Sequence, residues 1–219
     1  MRILAGRFKG REILTPREGP VRPMTGLVRK SLLDILAPRL EGAAVADLYF
    51  GTGTLGLEAL SRGAARAFFA ERDRRTAMLL RRNLQAFGVL DCCRVWEGDL
   101  TARLARWLEE CGAAIDIAFV DPPYADARSW DWAAAGRDIF EPLARHLSPG
   151  GVVALRLPGG VEAPAPLGDL AVTREKRYGD MTVLLLERGG EAKKRTTTDS
   201  TDSEIPQMEQ EKGKEEERG

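Results

Sequence analysis

Val45-Ala46-Asp47-Leu48-Tyr49-Phe50, followed directly by Gly51-Thr52-Gly53-Thr54-Leu55-Gly56, reads as a buried strand that breaks into a glycine-rich turn and then a helix. Outward from it the chain alternates. The spacing predicts a helix over 55–62, a strand over Ala67–Ala70, a helix over 74–87, a strand near Arg94–Trp96 and a helix near 101–111. It continues with the apolar run Ile115–Val120, a helix near 136–146 and a strand near Val152–Leu157. Two late strands, Leu170–Arg174 and Thr182–Glu187, lie so close around Lys176-Arg177-Tyr178-Gly179-Asp180 that they pair antiparallel. The sum is an α/β fold with a doubly wound, mostly parallel seven-stranded sheet.

Ahead of the sheet, Ile3-Leu4-Ala5 and Ile13-Leu14 flank Gly6-Arg7-Phe8-Lys9-Gly10, the pattern of a β-hairpin with a basic turn. Thr25 is placed to cap a helix that runs to about Ala37, where Pro38 and Gly42 end it. The domain reading is therefore a basic hairpin and helix over 1–40, a core domain over 41–188, and a tail over 189–219. The tail is Lys, Glu, Thr, Ser and Gly with hardly a large apolar side chain, so it is expected to be disordered and solvated.

With 219 residues and 43% hydrophobic content, the chain can bury one substantial core. The formal net charge is zero, yet residues 1–40 carry nine Lys/Arg against three Asp/Glu, an asymmetry that points to a polyanion. From Gly190 to Gly219 the balance is six against nine, which suits an RNA-binding arm poorly. Without a signal-like apolar segment or a spanning run, a cytoplasmic protein with no membrane partner is expected. Cys92, Cys93 and Cys111 have neither zinc spacing nor the even count of a disulfide framework, so they read as reduced thiols and no metal is expected. His146, at a helix end before Leu147-Ser148-Pro149-Gly150, reads as a cap or surface residue.

Candidate chemistry gathers at the strand ends. Asp121-Pro122-Pro123-Tyr124 follows the run Ile115–Val120, and the two prolines end that strand and stiffen its turn. The carboxyl edge of an open α/β sheet is where ligands bind. An acid at Asp121, the Pro122 carbonyl and the Tyr124 ring there can grip a planar amine such as a nucleobase amino group. Gly51, Gly53 and Gly56 allow close approach of a cofactor, and alone they would suit a dinucleotide enzyme equally. Glu71, 24 residues after Asp47 at the end of the next strand, can accept two ribose hydroxyls, with Asp73 as its competitor, and Asp99 follows the strand after that. Asp47 before the glycines repels a pyrophosphate but attracts a cationic amino-acid moiety, which S-adenosylmethionine carries.

On these residues the chain resembles the bacterial methyltransferases that modify the exocyclic N2 of a guanine in 16S ribosomal RNA. The likeness covers about residues 1–188. It is carried by Arg2-Ile3-Leu4-Ala5-Gly6, Lys9-Gly10-Arg11, Arg22-Pro23-Met24-Thr25 with Val28-Arg29, Asp47 to Ala64, Asp121 to Tyr124 and Tyr178-Gly179-Asp180. Tyr49-Phe50 and Gly26-Leu27 depart from the family's usual aromatic-small and polar pairs. The resemblance implies a class I (Rossmann-like) methyltransferase fold, S-adenosylmethionine as donor and guanine as acceptor, with the RNA presented within a small-subunit assembly particle. Asp121, Pro122 and Tyr124 are then the catalytic candidates, and Asp47, Gly51, Gly53, Gly56, Glu71 and Asp99 the cofactor candidates. Arg7, Lys9, Arg11, Arg22 and Arg29 are the candidates for phosphate contact. A monomer is expected, since nothing in the sequence demands an oligomer. Two other readings stand beside this one: an amino-methyltransferase acting on adenine N6 in DNA or another RNA, and a ribosome-assembly factor that binds RNA without turnover.

Overall fold

The computed structural model describes residues 1–15 and 24–189, and the backbone of 196–199. Among the described residues eight strands form one sheet: β1 (Ala44–Leu48), β2 (Arg66–Glu71), β3 (Cys93–Glu97), β4 (Ile115–Val120), β5 (Leu147–Pro158), β6 (Leu170–Tyr178), β7 (Met181–Arg188) and β8 (Thr196–Asp199). Their order is β3-β2-β1-β4-β5-β7-β6-β8. β3, β2, β1, β4 and β5 run parallel, and β7 pairs antiparallel with both β5 and β6. The strand order reverses between β1 and β4, and that reversal leaves a crevice outside their carboxyl ends.

The seven expected strands are all present, each within a few residues of its expected span. β8 is a correction: four residues of the segment read as a disordered tail pair in parallel with β6 from Arg174 to Arg177. A strand ladder is made by backbone groups and needs no apolar side chain, and a run of threonines accepts the extended conformation. The open edge of β6 supplied the partner.

Strand residues alternate between two apolar layers, as the period of two requires. Val45, Phe69, Ile117 and Phe119 face one side, with α1 (Gly26–Leu36), α2 (Thr54–Ser61) and α3 (Arg74–Phe87). Ala46, Phe68, Ala118 and Val120 face the other, covered by α4 (Leu100–Cys111), α5 (Tyr124–Arg128), α6 (Trp132–Ala135) and α7 (Glu141–His146). The expected helix near 136–146 is a wide turn over Gly136–Phe140 that runs into α7. His146 Nδ1 meets the Pro142 carbonyl at 2.9 Å, as befits a helix-end residue.

The expected N-terminal hairpin is reduced to a single bridge between Arg2 and Glu12 around a compact turn. Its apolar residues Ile3, Phe8 and Ile13 lie in the same core as α1, α2 and α3, so the extension is built into the domain. Thr25 caps α1 as expected, its hydroxyl accepting from the Val28 amide at 3.4 Å. Glu58, within the apolar helix α2, is fully buried and holds the segment down: it accepts from the Leu4 amide at 2.7 Å and from Arg29 Nε at 3.2 Å. Arg29 also donates to the Arg2 carbonyl at 3.0 Å. Arg29→Ala would remove the nearer of the two cations on the buried Glu58 carboxylate, leaving Arg62 Nε at 3.7 Å, and a loss of about 1–3 kcal/mol of stability is expected. Urea unfolding checks it, and an unchanged midpoint would show that the pair is dispensable.

Among the described residues no helix is long and apolar enough to cross a membrane.

Candidate active site

Asp47 and Asp121 meet at the strand-order reversal. β1 and β4 pair in register, Asp47 opposite Phe119 and Leu48 opposite Val120, so the residue after Val120 emerges at the carboxyl edge beside the glycine turn. The Asp121 amide donates to the Leu48 carbonyl at 3.4 Å, tying the two loops. Asp47 itself is 1% exposed, and its Oδ2 accepts from the Gly56 amide at 2.8 Å. Burial pushes its carboxyl well above the ordinary range, and the negative charges of Asp121 and Glu71 push the same way against the Gly56 amide. A buried acid among acids is a place where a cationic group is stabilised on arrival.

The glycines have separate jobs. Gly53 has a left-handed φ of 67°, and a Cβ there would lie 2.5 Å from the Leu80 side chain. A Cβ at Gly56 would run into the Phe69 ring and come within 3.3 Å of Asp47 Oδ2. Tyr49, between acid and glycines, also takes a left-handed φ of 62°, a conformation rare for an aromatic residue. Its ring lies against Trp130 with centroids 6.3 Å apart, and Trp130 in turn packs on Trp132 at 5.3 Å. Burial first, then the charges of Asp126 and Asp99, raise the Tyr49 hydroxyl. This aromatic wall beside the loop was not anticipated from the sequence. Its signal was the pair Trp130 and Trp132 shortly after the prolines.

Glu71 and Asp99 stand at the ends of β2 and β3 as expected, and both carboxylates serve their own turns. Glu71 Oε1 accepts from the amides of Arg72 at 2.9 Å and Asp73 at 3.1 Å. Asp99 Oδ1 caps α4, accepting from the Ala102 amide at 3.3 Å and the Thr101 hydroxyl at 2.6 Å. The Thr101 hydroxyl is the main reason that the Asp99 carboxyl lies below the ordinary range. Asp73, the competitor to Glu71, is the cap of α3 through the Thr76 amide at 2.7 Å.

In the loop after β4 Pro122 is buried, and Tyr124 opens α5, whose first bond uses the Pro123 carbonyl, at 3.0 Å from the Ala127 amide. Among the described residues no hydrogen bond engages the Pro122 carbonyl, which therefore keeps an acceptor at the edge. Asp121 has a partner that sequence reading missed. Register pairs Val120 with Leu155 of β5, and one residue further Arg156 Nε contacts Asp121 Oδ1. The Arg156 guanidinium also lies over the Tyr124 ring, 5.0 Å from its centroid. Burial raises the Asp121 carboxyl to about 6, although the Arg156 charge and contact pull it down. The signal was available: Arg156 is the single charged residue in Val152–Leu157, and at 2% exposure it could not stay without a partner.

Among the described residues the basic candidates do not converge on this site. The Arg7 amide donates to the Ser61 carbonyl at 2.7 Å at the carboxyl end of α2, and Arg7 acts electrostatically on Cys93 at the start of β3. Arg11 Nη2 donates to the Ala86 carbonyl at 2.6 Å, and the guanidinium lies 4.2 Å from the Phe87 centroid. Arg7, Lys9 and Arg11 are exposed, but they stand at the amino edge of the sheet, opposite Asp121–Tyr124. Arg29 is a correction: 3% exposed and ion-paired to Glu58, it cannot meet a phosphate. Arg22 lies outside the described residues.

The site fits S-adenosylmethionine: a buried carboxylate at Asp47 with no cation of its own among the described residues, a glycine cradle that a Cβ at Gly56 would fill, and an acid at the end of β2. Comparison with known proteins agrees. YlbH of Bacillus subtilis (strain 168), a candidate rRNA methyltransferase, is 29% identical over 191 residues, covering 87% of this chain and all of YlbH. Ribosomal RNA small subunit methyltransferase D of Escherichia coli (strain K12) is 37% identical over 124 residues, 57% of this chain and 60% of that protein. Among solved structures, yhhF of Escherichia coli, a candidate methyltransferase, superposes with a TM-score of 0.68 at 29% identity, over 88% of this chain and 99% of that one. The family described as Conserved hypothetical protein 95 matches residues 1–187, and the chain belongs to that family, an S-adenosylmethionine-dependent methyltransferase of the class I fold.

Proposed function

We propose that the protein methylates the exocyclic N2 of a guanine in 16S ribosomal RNA, working in the cytoplasm as a monomer on a small-subunit assembly particle. The observation that carries the amine reading is the juxtaposition of Asp121, the unengaged Pro122 carbonyl and Tyr124 beside the Asp47 cradle. Ribosomal RNA enters through the name of the Escherichia coli relative, and guanine N2 through the resemblance carried by the motifs.

Bound S-adenosylmethionine supplies an electrophilic methyl group on a sulfonium. Asp47 and the glycine turn would hold its amino-acid end, and Glu71 its ribose. The residues at the edge act on the acceptor. A guanine amino group is a weak nucleophile because its lone pair is delocalised into the ring. The Asp121 carboxylate and the Pro122 carbonyl would accept its two N–H groups, and both bonds strengthen as positive charge develops on nitrogen. Tyr124 would stack on the extruded base, a contact of about 1–3 kcal/mol. In-line placement of nitrogen, methyl and sulfur supplies much of the remaining acceleration.

The test is incubation of the protein with radiolabelled S-adenosylmethionine and undermodified small ribosomal subunits, followed by nuclease digestion and nucleoside analysis. Label in N2-methylguanosine is expected. Label in a methylated adenine would replace guanine by the adenine reading, and RNA binding without label would leave an assembly factor.

A further inference from the structure

The catalytic loop and the basic turn lie at opposite edges of the sheet, and α3 runs from one to the other. It starts just past the carboxyl end of β2 and ends at Phe87, against which Phe8 and Arg11 pack. Its 14 residues span about 21 Å at a rise of about 1.5 Å each. Ala77, Leu80, Asn83, Leu84 and Phe87 face the core. Arg74, Arg75 and Arg82 are exposed on the other side with Met78, which is 54% exposed. The helix contains no acid, and its fourth arginine, Arg81, is paired with Glu97 at 2.8 Å. Among the described residues Arg74, Arg75 and Arg82 form no ion pair.

Two features of this face are not accounted for by ion pairs among the described residues. Arg74 and Arg75 occupy the first turn of the helix, where open amides and the aligned peptide dipoles disfavour cations, and the Asp73 cap offsets this in part. Arg75 and Arg82 are seven residues apart and so stack two turns apart on one side, about 10 Å along the axis, with the exposed Met78 between them. A row of unpaired arginines around an apolar contact matches a sugar-phosphate backbone.

We propose that the solvent face of α3, with the Gly6–Gly10 turn at its far end, is a phosphate track that holds the stem of a folded RNA while the target nucleotide enters the carboxyl edge. This rests on the RNA reading above and adds that recognition extends about 20 Å from the target, along the length of α3. A short unstructured RNA around the target should then be a poor substrate.

The experiment compares wild type with Arg74→Gln/Arg75→Gln/Arg82→Gln, glutamine being a good helix former. Methylation of undermodified small subunits is measured over about 50–200 mM salt. The triple variant should lose tenfold or more in kcat/KM, and its log–log salt slope should shrink by about 2–3, close to one for each phosphate that is no longer neutralised. Its kcat at saturation, cofactor affinity and melting temperature should match wild type, and a short target oligonucleotide should be methylated equally poorly by both. An unchanged salt slope and kcat/KM, or efficient methylation of the short oligonucleotide by wild type, would overturn the track. If wild type labelled no RNA at all, the substrate reading would fall and the track with it. If the triple variant melted early, the same slope comparison on Arg82→Gln alone, with an expected change of about 1, decides.

Discussion

Asp121→Glu is expected to fold, bind S-adenosylmethionine with near wild-type affinity, and lose about a hundredfold in kcat. The longer side chain keeps the negative charge that Arg156 needs, so the buried pair survives. The carboxylate, however, moves by one methylene relative to the acceptor amine, and a displacement of about 1 Å at a reacting group costs on the order of 10²-fold. Asp121→Asn should be worse, with a fall of about 10²–10³ in kcat, because it removes the charge that strengthens the hydrogen bond as nitrogen becomes positive. It also strands Arg156, so its melting temperature should drop, which is why the glutamate variant is the cleaner test. The measurement is single-turnover transfer to small subunits beside calorimetric cofactor binding. Unchanged turnover in the glutamate variant would remove Asp121 from the chemistry.

The sheet was legible because its central strands are short, apolar and bounded by turn residues. Ile115–Val120 between a helix and two prolines admits little else. Glycine spacing marked the turn after β1 for a similar reason: Gly53 takes a left-handed φ of 67°, and a Cβ at Gly56 would run into the Phe69 ring. What sequence could not supply was which edge each segment reaches. Charge asymmetry and the family resemblance made Arg7, Lys9 and Arg11 candidates for phosphate contact without saying which edge of the sheet they occupy. The hairpin docks on the carboxyl ends of α2 and α3, and helices that return between parallel strands necessarily end at the amino edge. Arg29 was misread because α1 shows a polar face by pattern, yet the N-terminal segment covers part of that face and Glu58 waits beneath it. Both Glu58 and Arg156 carried the same overlooked sign, one charge inside an otherwise apolar run. Such a charge demands an opposite partner, and the partners, Arg29 and Asp121, were already in view as candidates for other roles.

Arg156→Leu should move the acid limb of the kcat profile to higher pH. The carboxyl of Asp121 lies near 6 because burial raises it, and Arg156 is the cation that restrains the rise. Arg72 acts on Tyr49 and Asp99 rather than on Asp121, and the neighbouring Asp47 and Glu71 are acids, so none of them takes over that task. Without Arg156 the carboxyl climbs further, so the ionised form that accepts the amine disappears at a higher pH. Activity at pH 7 should fall and recover as the pH rises, changing about tenfold per unit along the limb. Stability must move consistently. A carboxyl raised above its unfolded value stabilises the fold below about 4 and loses that contribution as pH rises through its folded value. In the variant that loss should extend to higher pH, making it less stable relative to wild type at pH 8 than at pH 5. Arg156→Lys separates charge from shape: it should keep the limb near its wild-type position but raise KM, because the planar support over Tyr124 is gone. If leucine left the limb in place while lowering kcat evenly at every pH, Arg156 would be a packing residue, and the ionisation of Asp121 would be set by burial alone.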